Sequence, residues 1–323
     1  MNAHLASASP SVLGTWVATP VVWAVMVLGT VAYLAGTVRA RPSGWPLLRV
    51  VWWAVAMVLL VFALNSSMTV FAEHLFWAHM VVHLTLITVV PLFLVLAQPV
   101  RLLAAATGER GSARMHRVLE NPVMAVATSP IVGLPFYAAV LIGTHLTGFQ
   151  DFALTHSWAQ HLEYLLYLVS GWLFMMPLIG DELCGRRLSP PLRFASFLLA
   201  MGPDTLVGVV LMMTSYELAP GYSASRAGWG PTGLSDQSAA GAIMWFGGDG
   251  LMMLLLLVVA FQWIRAEGVG SNREHGASMG TWLDSARRGT LIGDSDPDTD
   301  IDDDEAALAA YNARLAELNR RER

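Results

Sequence analysis

Seven apolar stretches decide what this chain can fold into. They fall at roughly 16–38, 47–64, 75–97, 123–144, 160–179, 192–214 and 238–263. Each is close to the ~20 residues with which a helix crosses about 30 Å of hydrocarbon. Only 13% of the 323 residues are charged, against about 25% in a soluble domain. Inside a bilayer the backbone must satisfy its own polar groups, and stretches of this length do so as helices. The predicted fold is an all-α polytopic membrane protein, a seven-helix bundle over 16–264. A short leader, 1–15, precedes it and a tail, 265–323, follows. Residues 1–14 have no basic n-region, so no cleaved signal peptide is expected.

Arginine placement predicts the orientation. Arg39, Arg41 and Arg49 lie between spans one and two. Arg101, Arg110, Arg114 and Arg117 lie between three and four, and Arg186, Arg187 and Arg193 between five and six. Arg265 and Arg273 follow the last span. The 2–3 and 4–5 connections have no basic residue, and the 6–7 connection has Arg226 alone. By the positive-inside rule the amino terminus is outside and the carboxyl terminus cytoplasmic. All nineteen basic residues are arginine, which removes chemistry that needs a lysine Schiff base. The single cysteine, Cys184, cannot form an internal disulfide.

Acidic charge collects in the tail, where Asp294 to Asp300 reads as a disordered linker. Asp302 to Arg323 reads as a short helix, acidic at its start and arginine-rich at its end. Its stripe of Leu308, Tyr311, Leu315 and Leu318 suits either a partner or its own membrane surface.

With this orientation the histidines sort to one side. His79 and His83 are four apart at the outer end of span three, so a helix sets them one turn apart, about 40° round from each other. His74 precedes them. His145 ends span four, His156 lies in the following loop, and His161 opens span five, all on the outside. Two imidazoles at i, i+4 can share a metal ion. Histidines at a membrane surface also bond to loops and water, and both readings stand on spacing alone. Met244 lies two turns inside span seven, below Asp236 and Gln237. Imidazole with thioether is a ligand set that favours Cu(I). The candidate ligands are therefore His79, His83, His145, His156, His161 and Met244. His74, Glu163, Asp236 and Gln237 are candidates for support. The sixteen methionines mostly suit packing. Ligands must be neutral imidazoles, so binding is expected to weaken below a pH of about 6.5.

Asp204 and Asp249 fall near mid-membrane. Intramembrane acids are costly and so point to function. A protonated carboxyl satisfying the kink at Pro203 is the plain alternative for Asp204.

Three blocks carry a resemblance. The first is His79-Met80-Val81-Val82-His83-Leu84 with Pro91 to Pro99. The second runs from Thr144-His145-Leu146 through Asp151 and His156 to His161-Leu162-Glu163 and Ser170-Gly171-Trp172-Leu173-Phe174. The third is Asp236-Gln237 with Gly241, Met244 and Trp245. Together, over 16–264, they resemble the CtaG-type (caa3) cytochrome c oxidase assembly factors. Tyr311-Asn312-Ala313-Arg314-Leu315 in the tail resembles the actinobacterial branch. The resemblance implies a bacterial cell-membrane protein, not an enzyme, that helps assemble a haem-copper oxidase.

The expected function is a metallochaperone that holds copper at the outer face and passes it to an oxidase copper centre. Expected partners are oxidase subunit I or II, an extracytoplasmic copper chaperone and membrane lipid; nucleic acid is not expected. Two alternatives stay open: a haem-binding redox protein using the same histidines, and a transporter using Asp204 and Asp249.

Overall fold

The computed structural model describes residues 16–270, apart from 18, 41–43, 120, 123–125, 127, 180–187 and 227. The acidic linker, the terminal helix, Cys184, His4 and His275 lie outside the described residues. The chain divides into two compact units, Met1–Val259 and Ala260–Arg323. Within the second, the Arg265 guanidinium lies 4.4 Å over the Phe261 ring.

All regular structure among the described residues is helical: α1 Pro20–Arg39, α2 Leu47–Asn65, α3 Ser67–Ala72, α4 Phe76–Leu84, α5 Val90–Ala97, α6 Pro99–Ala106, α7 Gly108–Leu119, α8 Pro130–His145, α9 Phe149–Thr155, α10 Ser157–Met175, α11 Pro190–Met213, α12 Pro220–Ala224, α13 Gly233–Ala242 and α14 Asp249–Gly270. Five helical runs among them are long and apolar enough to cross a membrane: Pro20–Arg39, Leu47–Asn65, Phe76–Ala106, Pro190–Met213 and Gly233–Arg265. A sixth forms if α8 and α9, bent by 71°, count as one broken span. The sequence reading of seven adds α10. That helix has 19 residues, but Ser157, Gln160, His161 and Glu163 dilute the hydropathy of its first half.

The run Phe76–Ala106 is the centre of the bundle. In its most apolar window 61% is buried, against 17% in α1 and in α2. A helix apolar all round suits both situations, because lipid and core are equally dry. Two π-helical turns interrupt the spans that carry candidate ligands: Thr85–Val89 joins α4 to α5, and Ile243–Gly248 joins α13 to α14. Such turns are frequent at functional sites.

Close helix contacts explain two sets of glycines. A Cβ on Gly171 would collide with the Ile87 carbonyl, so α10 rests directly on the Thr85–Val89 turn. Gly208 of α11 and Gly241 of α13 face each other. A Cβ on Gly241 would lie 2.6 Å from the Gly208 carbonyl oxygen. Small residues at such crossings let backbones approach within van der Waals range.

Candidate functional site

The first turn of α4 determines where its histidines stand. Leu75 occupies the N-cap position and has no capping side chain of its own. Asp236, from the first turn of α13, takes over that role. Its Oδ2 accepts from the Phe76 amide at 3.0 Å and its Oδ1 from the Trp77 amide at 2.9 Å. Arg226 closes the group with Nη2 at 3.2 Å from Asp236 Oδ2, both side chains buried. A carboxylate at a helix N-terminus also meets the positive end of the helix dipole. The lone basic residue of the 6–7 connection is thus a buried counter-ion.

One turn on, three imidazoles meet in the interior. His79, His83 and His145 are each no more than 2% exposed. Ring centroids are 4.7 Å apart for His83 and His145, and 5.8 Å for His79 and His145. Tyr167 of α10 lies 4.3 Å from His83, and Phe76 stacks on Tyr222 at 4.9 Å beside them. The His145 Nδ1 lies 3.0 Å from the Leu141 carbonyl and 2.8 Å from Thr144 Oγ1. A carbonyl only accepts, so Nδ1 carries the proton and Nε2 keeps its lone pair. That lone pair has no partner. Neither do His79 Nε2 or the two ring nitrogens of His83, all buried.

Beneath the rings runs a polar network. Buried Glu163 accepts from Gln150 Nε2 and from the Tyr167 hydroxyl, both at 2.6 Å. Its Oε1 stands 3.7 Å from His79 Nε2. Tyr167 also reaches Thr144 Oγ1 at 3.1 Å, and Tyr222 donates to Gln150 Oε1 at 3.0 Å. A carboxylate beside an imidazole is the usual means of orienting a metal-binding histidine. As the side chains stand, no three His, Cys, Asp or Glu among the described residues are disposed around one metal ion.

The other candidate histidines have partners of their own. His156 is exposed, stacked on Phe152 at 4.2 Å, with Nδ1 bonded to the Phe152 carbonyl. His161 is exposed too, with Nδ1 donating to the Ser157 carbonyl. His74 bonds Ser225 Oγ at 3.1 Å. Burial, reinforced by the Arg226 guanidinium, lowers the His74 pKa below the usual imidazole value. Gln237 ties the end of α11 to the loop after it. It accepts from the Leu218 amide at 2.7 Å and donates to the Leu211 and Tyr216 carbonyls. Met244 is fully buried and belongs to the same large core cluster as Phe76, Met80 and Tyr222. Deeper in the bundle, the Tyr137 hydroxyl lies 3.1 Å from Asp204 Oδ1, and Thr205 donates to Asp249 Oδ2 at 2.6 Å. Each acid therefore has its own hydroxyl partner.

The family model described as cytochrome c oxidase caa3 assembly factor (Caa3_CtaG) matches residues 31–266. The chain belongs to this assembly-factor family. That match covers both α4 histidines, His145, Glu163 and Asp236. Among curated proteins, the chain is 27% identical over 322 residues to uncharacterized proteins of Mycobacterium bovis and Mycobacterium tuberculosis. It is 28% identical over 308 residues to one of Mycobacterium leprae. These alignments cover 97% of this chain for the first two and 92% for the third. The chain spans about half the length of these relatives, 46%, 46% and 43%. No solved structure matches it.

Proposed function

We propose that this chain is a non-catalytic assembly factor that receives Cu(I) at the outer end of its bundle and passes it to subunit I or II of a haem-copper oxidase. Family membership supports the oxidase. The copper reading rests on one observation: His79, His83 and His145 bury four ring nitrogens that have no hydrogen-bond partner. An unsatisfied buried polar group costs free energy and calls for an explanation. A bound ion supplies one, and neutral imidazole suits copper in either oxidation state. Cu(I) is cargo here, taken from an extracytoplasmic chaperone and released by ligand exchange. Convergence of the three rings on one ion would require them to turn from their present positions. Haem held between His83 and His145 would require the two rings, whose centroids stand 4.7 Å apart, to separate further.

In this reading α10 is a further span, which with the broken α8–α9 pair makes seven. The amino terminus is outside, the carboxyl terminus is cytoplasmic, and the membrane is the bacterial plasma membrane. Arginine distribution supports that orientation. The functional test is genetic. Deleting the gene is expected to lower active oxidase in membranes while its subunits are still synthesised. Wild type restores activity and His83→Ala does not. Normal oxidase activity in the deletion strain under limiting copper would overturn the reading.

A further inference from the structure

We infer that α7 is an interfacial element that binds the phosphate head groups of anionic lipids. Its position follows from chain connectivity. The central span ends at Ala106, and Gly108, at φ +69°, turns the chain into α7 two residues later. The run has 31 residues, more than the ~20 that cross the hydrocarbon, so α7 starts at the level of the head groups. None of its residues is fully buried.

The sequence of α7, Gly-Glu-Arg-Gly-Ser-Ala-Arg-Met-His-Arg-Val-Leu, divides into two faces. At about 100° per residue, Arg110, Arg114 and Arg117 fall within an arc of about 60°. Met115, Val118 and Leu119 fall within an adjoining arc of about 100°, Val118 at its edge about 40° from Arg114. Glu109 and His116 lie on one flank. Met115 and Leu119 are half-buried, whereas Val118 is 50% exposed. Leu103, in the helix before, is 52% exposed as well. A short helix with three arginines, one acid and an adjoining apolar stripe suits the boundary between acyl chains and head groups. There the apolar stripe enters the hydrocarbon and the long arginine stems carry their guanidiniums out to phosphate oxygens. Each arginine near an anionic surface adds to the attraction, and salt screens it. A helix in bulk water would gain nothing from Val118. A docking site for a protein would show no preference for lipid charge.

The test uses the full chain in nanodiscs, with Val118→Cys in a Cys184→Ser background, and reads the rate of labelling by a membrane-impermeant maleimide. Labelling is expected to be roughly tenfold slower in discs containing phosphatidylglycerol than in discs of phosphatidylcholine alone. High salt restores the rate, and so does the triple variant Arg110→Gln, Arg114→Gln, Arg117→Gln. The same thermal midpoint for this triple variant and its parent shows that the fold is kept. Equal labelling in the two lipid compositions, fast or slow, overturns the inference, as does a charge effect that survives loss of the three arginines. Nanodiscs leave both membrane faces open, so the result does not depend on orientation or on the copper reading.

Discussion

The His83 imidazole stands edge-on to the Tyr167 phenol, ring centroids 4.3 Å apart at 72°. The same phenol sends its hydroxyl to Glu163, so one tyrosine both walls the histidine cluster and holds its nearest carboxyl. Tyr167→Phe keeps the wall and removes the hydroxyl. Leaving the buried Glu163 oxygen short of a donor is expected to cost about 1–3 kcal/mol, read as a lower thermal midpoint in detergent. An unchanged midpoint would mean that water replaces the hydroxyl and that the site is open to solvent.

Arg226 and Asp236 form a buried pair whose carboxylate also caps α4. Asp236→Ala strands a buried guanidinium and frees two helix amides, a loss of about 3–5 kcal/mol for breaking one side of such a pair. The double variant Arg226→Met, Asp236→Asn is expected to be clearly more stable than Asp236→Ala, because it removes the stranded charge and keeps an acceptor for the cap. Chemical denaturation of the two variants side by side measures the difference. Equal stabilities would contradict both the stranded charge and the lost cap as the source of the loss.

Hydropathy made the spans legible, because crossing a bilayer imposes a length and a composition on a helix. It carried less about α8, where the break between His145 and Phe149 depends on a 71° bend that composition does not encode. The i, i+4 spacing placed His79 and His83 together, and His145 joined them through its depth. His156 and His161 share that depth but lie elsewhere, since position along a helix says nothing of the direction it faces. Their Nδ1 atoms turn back to the carbonyl four residues earlier. Tyr167 and Tyr222 gave no local signal in a chain where 10% of residues are aromatic. Arg226 stood out only as an exception to charge bias, and burial against Asp236 explains it.

His74 provides a pH-dependent tie on the loop side of α4. Its pKa is lowered in the folded chain, by burial first and by Arg226 second. The unfolded chain, with an imidazole near 6.5, therefore binds more protons as the pH drops. The stability that neutral His74 gives is present above about 6.5 and declines from there towards its lower folded value. Amides around Ser225 are expected to lose protection, relative to their intrinsic exchange rates, below that pH, and His74→Gln to flatten the dependence. Protection factors in His74→Gln that track wild type across the same window would assign the effect to another group.

Topology can be read directly with reporter fusions. Positions within 66–73 and 146–155 are expected to report the outside, and positions within 104–118 the cytoplasm. A cytoplasmic signal at position 150 would move the histidine cluster to the wrong side of the membrane for copper delivery from outside.

Copper per protein chain, measured by elemental analysis on protein purified after loading with Cu(I), tests the central claim most directly. Wild type is expected to retain copper. His79→Ala, His83→Ala and His145→Ala should each lose it while keeping the thermal midpoint close to that of wild type. His4→Ala and His275→Ala should retain it. Exposed His156 and His161 should matter less than the buried three. Full copper content in the His79→Ala, His83→Ala double variant would contradict the account, even if oxidase activity fell.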